Sequence, residues 1–120
     1  MTAFRAIPIH VHGALEVVAA PLLLVAPFAL GFSTFAGAVS IALGILLTGL
    51  AISIYGDTQR GGLPLQAHAG FDYMFAVVTV FVGIAAVAAG DYPAGVFLLG
   101  FGSAHLALTA STRFSRPLGA

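Results

Sequence analysis

Four stretches of this chain, over residues 11–30, 34–55, 67–89 and 93–112, are each about 20 residues long, strongly apolar and nearly free of charge. An α-helix needs about 20 residues to cross the ~30 Å hydrocarbon layer of a bilayer. A lone apolar run has no other way to cross, because lipid offers no partner to backbone N–H and C=O groups and only a helix satisfies them internally. The pattern therefore predicts an all-α integral membrane four-helix bundle. Composition argues against a water-soluble alternative. Sixty per cent of the residues are apolar and only 7% charged, whereas soluble domains carry about 25% charge. A chain of 120 residues has too little interior to hide so much apolar surface.

The connections group the helices. Residues 31–33 and 90–92 are too short for anything but tight turns, while the link over residues 56–66 is longer, polar and contains Gly61-Gly62 and Pro64, all helix-ending residues. The chain reads as a single membrane domain, 1–120, built from two tandem helical hairpins over 11–55 and 67–112, with the N and C termini on the same side. Arg5, Arg60, Arg113 and Arg116 all fall on that side, and the opposite turns carry no basic residue. The positive-inside rule then places the termini in the cytoplasm of a multi-pass protein of the cell membrane, with the four arginines as anchors in the headgroup region. The first run is expected to be a retained span. Only Arg5 precedes it, Glu16 interrupts it and no clear small-residue cleavage site follows.

Charge and cysteine usage remove several function classes. Four arginines and four acids cancel, so no basic field for nucleic acid exists. The expected partner is the lipid bilayer, with a homo-oligomer or a larger membrane complex as further company. With no cysteine, disulfides, thiolate metal sites and iron–sulfur clusters are excluded. No nucleophile motif, phosphate loop or nucleotide fingerprint occurs. No residue is assigned a catalytic role, and an enzyme is conceivable only through a bound cofactor.

The two hairpins resemble each other. His12-Gly-Ala-Leu-Glu16 matches His68-Ala-Gly-Phe-Asp72, and in the second helices Ala36-Gly37 matches Ala94-Gly95, Gly44 matches Gly102 and Ser53 matches Ser111. Units that each cross twice share one orientation, so such a repeat would be related by an axis along the membrane normal. Within the first hairpin, Ala26-Pro27-Phe28-Ala29-Leu30-Gly31-Phe32 ends one apolar run and leads into a Gly/Ala-rich second one. This arrangement resembles the SPW-repeat membrane proteins, with Ala26 in place of the serine and Phe28 in place of the tryptophan. The second hairpin has Val82-Gly83-Ile84 near that place. The resemblance implies a two-helix architecture and no defined activity, so it assigns no site residues.

The ionisable residues inside the apolar runs carry the functional question. A charge at mid-bilayer costs about 2.5–3.5 kcal/mol on insertion scales, so each one needs a reason. They are His12, Glu16, His68, Asp72 and His105, and all fall in the same half of the bundle. His12 and Glu16, like His68 and Asp72, are four apart and so share a helix face. If those faces turn inward, one cluster forms between helices one, three and four.

Three readings follow. The cluster could orient the bundle through His–carboxylate pairs without doing chemistry, in an accessory or scaffold protein. It could hold a cofactor: a divalent transition metal bound by Glu16, Asp72, His12, His68 and His105, or a b-type haem held axially by two of His12, His68 and His105. It could belong to a proton or ion path. His10 stands at the edge of the first run as a possible extra ligand, Tyr55, Tyr73 and Tyr92 read as interfacial anchors, and Gly37, Gly44, Gly49, Gly95, Gly100 and Gly102 as sites of close helix contact within the bundle or between copies.

Overall fold

A computed structural model describes residues 5–55 and 63–115; Arg60 and Arg116 lie outside the described residues. Four helices follow one another: α1 (Ile9–Leu30), α2 (Thr34–Ser53), α3 (Leu65–Ala88) and α4 (Tyr92–Ala110). Their ends fall within two residues of those expected from hydropathy. All four are long and apolar enough to cross a membrane. Their outward positions are apolar too, with Val18, Phe28, Phe35 and Val96 among many large side chains left uncovered by the rest of the chain. Such a surface suits acyl chains and not water.

The helices pair as the loop lengths predict, α1 along α2 and α3 along α4, and the two hairpins then pack together. Both tight turns contain a glycine in the left-handed region, Gly31 at φ 67° and Gly90 at φ 84°, a conformation that costs glycine little and other residues more. α1 runs unbroken through Pro21 and Pro27. Down the middle of the bundle Leu23, Leu47, Leu98 and Phe75 make a dry layer, and nearer the turns Ala36, Ala86 and Ala94 make a thinner one.

α3 and α4 approach most closely at glycine. A Cβ on Gly102 would stand 3.0 Å from the Val80 nitrogen and 3.1 Å from the Ala76 oxygen, so the two backbones touch there in the small-residue manner of membrane helices. Gly37, Gly44 and Gly95 also face neighbouring atoms, whereas Gly49 and Gly100 have nothing within 4 Å and take no part in packing this bundle.

One polar clamp joins the hairpins at the turn end. The Ser33 backbone N–H donates to Asp91 Oδ2 at 2.8 Å, and the Ala94 N–H donates to Asp91 Oδ1 at 3.4 Å, capping α4. Ser33 in turn caps α2 by accepting from the Ala36 N–H. The Ser33 N–H holds the Asp91 carboxyl below its ordinary pKa. A depressed native pKa means that the clamp's stabilisation is present above the unfolded carboxyl pKa of about 3.9 and is lost as pH falls through the native value. Asp91→Ala is expected to lower the thermal unfolding temperature in detergent at neutral pH. The difference from the parent should shrink as the pH is taken down toward that range, which circular dichroism melts at several pH values would measure.

Candidate functional site

At the end of the bundle opposite the Ser33–Asp91 clamp, the segments before α1 and after α4 are tied together. The Ile7 N–H donates to the Ser111 oxygen and the Arg113 N–H to the Ile7 oxygen. One to two turns below this tie lies the polar cluster. All five ionisable residues expected there are buried: His12, Glu16, His68 and Asp72 completely, and His105 to within 5%. The i,i+4 spacing brings each histidine over its own acid, and the packing of α1, α3 and α4 brings the two pairs and His105 to one place.

The three Nε2 atoms converge on the two carboxylates. His12 Nε2 lies 2.9 Å from Asp72 Oδ2 and 3.3 Å from Glu16 Oε1. His68 Nε2 makes almost the same pair of approaches, 3.0 Å to Asp72 Oδ2 and 3.2 Å to Glu16 Oε1. His105 Nε2 comes from the other side, 3.2 Å from Asp72 Oδ1 and 3.7 Å from Glu16 Oε2. Glu16 Oε2 is buried without a hydrogen-bond partner. One ligand atom from each of His12, Glu16, His68 and Asp72 can be chosen so that all four lie within 4.8 Å of one another.

The other ring nitrogens face hydroxyls. His12 Nδ1 is 2.8 Å from Thr112 Oγ1, and that hydroxyl donates its single hydrogen to the Leu108 oxygen at 2.6 Å. His68 Nδ1 is 3.1 Å from Ser53 Oγ, whose hydrogen goes to the Leu50 oxygen at 2.6 Å. A hydroxyl has one hydrogen to give. With the two hydroxyl–carbonyl bonds made, both hydroxyls accept from the imidazoles, and Nδ1 carries the proton in His12 and His68. In a neutral ring the Nε2 lone pair then points at carboxylate oxygens about 3 Å away. Lone pairs facing one another in a buried site are repulsive, and buried carboxylates are costly unless paired. The arrangement calls for protons between nitrogen and oxygen, carried on Nε2 or on the carboxyls themselves, or for a metal ion.

Two phenylalanines enclose the cluster. The Phe75 ring lies 4.9 Å from that of His105 on the side of the leucine layer. Phe114, beyond the end of α4, lies 5.2 Å from the His12 ring and 6.1 Å from that of His68. Ser53, Thr112 and Phe114 were not expected in this role. The only signal for the hydroxyls is that each ends the second apolar run of its hairpin, level with the histidines that begin the first. His10 is exposed and outside the cluster. Tyr73 borders a separate surface cavity, and Tyr55 and Tyr92 are exposed near helix ends. Arg5 and Arg113 are exposed at the tied end.

No family model matches the chain, and no curated protein and no solved structure is detectably similar to it.

Proposed function

We propose that this chain is a multi-pass membrane protein that holds one divalent transition-metal ion in the His/carboxylate cluster, with its termini on the cytoplasmic side, and that it serves as an accessory or metal-carrying component and not as an enzyme in its own right. The observation that carries this reading is the placement of the two imidazoles, with Nδ1 of His12 and His68 against the Thr112 and Ser53 hydroxyls and Nε2 of both facing the same two carboxylates. Metal-binding histidines almost always donate their second ring N–H to a fixed partner, and Thr112 and Ser53 supply that partner here. Three imidazoles and two carboxylates suit zinc, iron, manganese or copper(II). A dication among two carboxylates leaves the site without net charge, which suits its burial. The unpartnered Glu16 Oε2 adds a free donor atom.

Haem fits less well, because Glu16 and Asp72 stand between the imidazoles where a porphyrin would have to lie. A proton path is also poorly supported. Beyond the cluster Leu23, Leu47, Leu98 and Phe75 fill the centre, and the hydroxyls of Ser40 and Thr79 are spent on the Leu23 and Phe75 carbonyls. A duplicated two-helix unit, the architecture that the SPW-repeat resemblance implies, rests on the sequence match of the hairpins; Thr112, which holds His12, stands one place beyond Ser111, the residue that matches Ser53 in that register. At the level where α4 places His105, α2 places Leu47, so the two halves would have diverged at the site itself.

The competing reading is a metal-free ionic cluster held by protons on the histidines or the carboxyls. Purification in mild detergent with elemental analysis separates the two. About one metal per chain is expected, retained through gel filtration and lost on chelation. Ser53→Ala and Thr112→Val, which leave all five donors in place, are each expected to weaken metal affinity by about 10–100-fold. A protein that stays folded, carries no metal and takes none up when zinc, manganese or iron(II) is offered leaves only the ionic reading.

A further inference from the structure

A second polar feature lies just outside the cluster. Where the segment before α1, the first turns of α3 and the segment after α4 meet, a cavity of about 320 Å³ is bordered by Arg5, Arg113, Gln66, Tyr73, Ala69 and Phe114. The two arginines come from opposite ends of the chain. They are held near each other by the backbone bonds between Ile7 and the Ser111–Arg113 stretch.

Neither guanidinium has a carboxylate partner among the described residues. Glu16 and Asp72 are engaged with the histidines, Asp91 is bonded to Ser33 at the far end, and Asp57 lies outside the described residues. Two guanidinium groups with no carboxylate partner among the described residues, and Gln66 and Tyr73 lining the same cavity, offer donors and positive charge to an anion. Guanidinium geometry matches phosphate oxygens in pairs. The cavity sits at the helix ends, at the depth of lipid headgroups if the helices span a bilayer.

We propose that this cavity binds a phosphate group, with Arg5 and Arg113 as its cationic arms and Gln66 and Tyr73 as neutral donors. The group arrives either on the headgroup of an anionic lipid or as a free phosphate. The cavity borders the His/carboxylate cluster at Phe114, whose ring lies 5.2 Å from that of His12; phosphate binding and metal content are measured separately.

The test uses the full chain in neutral detergent. Native mass spectrometry after exposure to mixed phosphatidylglycerol and phosphatidylcholine micelles reads lipid retention, and calorimetric titration with inorganic phosphate reads the free anion. Arg113→Gln removes one arm at an exposed position. Ala69→Phe fills the cavity and leaves every charge in place. Both are expected to reduce binding by at least about tenfold, as for loss of hydrogen bonds to a charged group, with thermal unfolding confirming that each variant is folded. Selective retention of phosphatidylglycerol that both substitutions abolish assigns the site to a lipid headgroup, and saturable phosphate binding that both abolish assigns it to the free anion. Binding that survives Ala69→Phe is diffuse surface attraction and overturns the proposal, as does failure of the parent chain to bind either ligand.

Discussion

Replacing His68 with alanine is expected to lower the stability of the bundle and, if the cluster holds the proposed metal, to remove it in the same step. The imidazole contributes a nitrogen at 3.0 and 3.2 Å from Asp72 and Glu16. Without it a metal held as proposed would lose a direct ligand, and the loss should exceed the 10–100-fold typical of a supporting partner. Two fully buried carboxylates also lose one of their positive or metal-bridged neighbours. Breaking a buried charge pair by removing one member costs about 3–5 kcal/mol, a large share of the ~5–15 kcal/mol that holds a typical domain together.

The destabilisation alone does not separate the metal from the ionic reading, since both predict it. The separating measurement is the response of the parent to added metal. Metal that binds the folded chain alone stabilises by about 2.7 kcal/mol at a hundred times its Kd. The parent's unfolding temperature should rise accordingly and that of His68→Ala should not move. A parent whose unfolding is indifferent to zinc, manganese and iron(II) would sink the metal reading while leaving the ionic cluster intact.

Gly95→Leu is expected to have an effect of similar size through packing. A Cβ at Gly95 meets the Val87 side chain at once. Behind it lie two backbone atoms that cannot swing away, the Val87 nitrogen at 3.0 Å and the Gly83 oxygen at 3.1 Å. Overpacking a tight interface typically costs about 1–3 kcal/mol and more where the backbone must move, so the upper end is the expectation here. Because α4 carries His105 and α3 carries His68 and Asp72, prying these helices apart also pulls the donor set open. Metal retention and thermal stability should fall together.

Gly100→Leu is the control. Nothing lies within 4 Å of its Cβ position, so neither quantity should change. A change of oligomeric state in that variant alone would mark the Gly100 face as a contact between copies of the chain. Monitoring the unfolding temperature, metal content and detergent-corrected mass of both variants checks all of this. A Gly95→Leu protein as stable as the parent would contradict the close approach of α3 and α4.

Much of the fold was legible in the chain because it depends on a one-dimensional property. Span length and hydropathy locate four helices to within two residues, since the free energy of transferring a 20-residue run into hydrocarbon depends on the run itself and hardly on its neighbours. The short turns at Gly31 and Gly90 dictate which helices pair. The spacing of His12 to Glu16 and of His68 to Asp72 places each pair on one helix face, because an α-helix repeats every 3.6 residues.

Tertiary structure decided what those faces meet. Whether His105 joins the two pairs depends on the rotation of α4 about its own axis, which the glycine contacts with α3 set over many residues at once. The partners of Nδ1 were hidden for the same reason: Ser53 and Thr112 lie 15 and 100 residues from the histidines they hold, and no local pattern links them. The cavity of Arg5 and Arg113 arises only because the two ends of the chain are tied together. Sequence determined that these side chains would sit in an apolar bundle at a similar depth, where a charge needs a partner. Helix rotation and crossing, which are cooperative properties of the packed whole, decided that they would converge on one another.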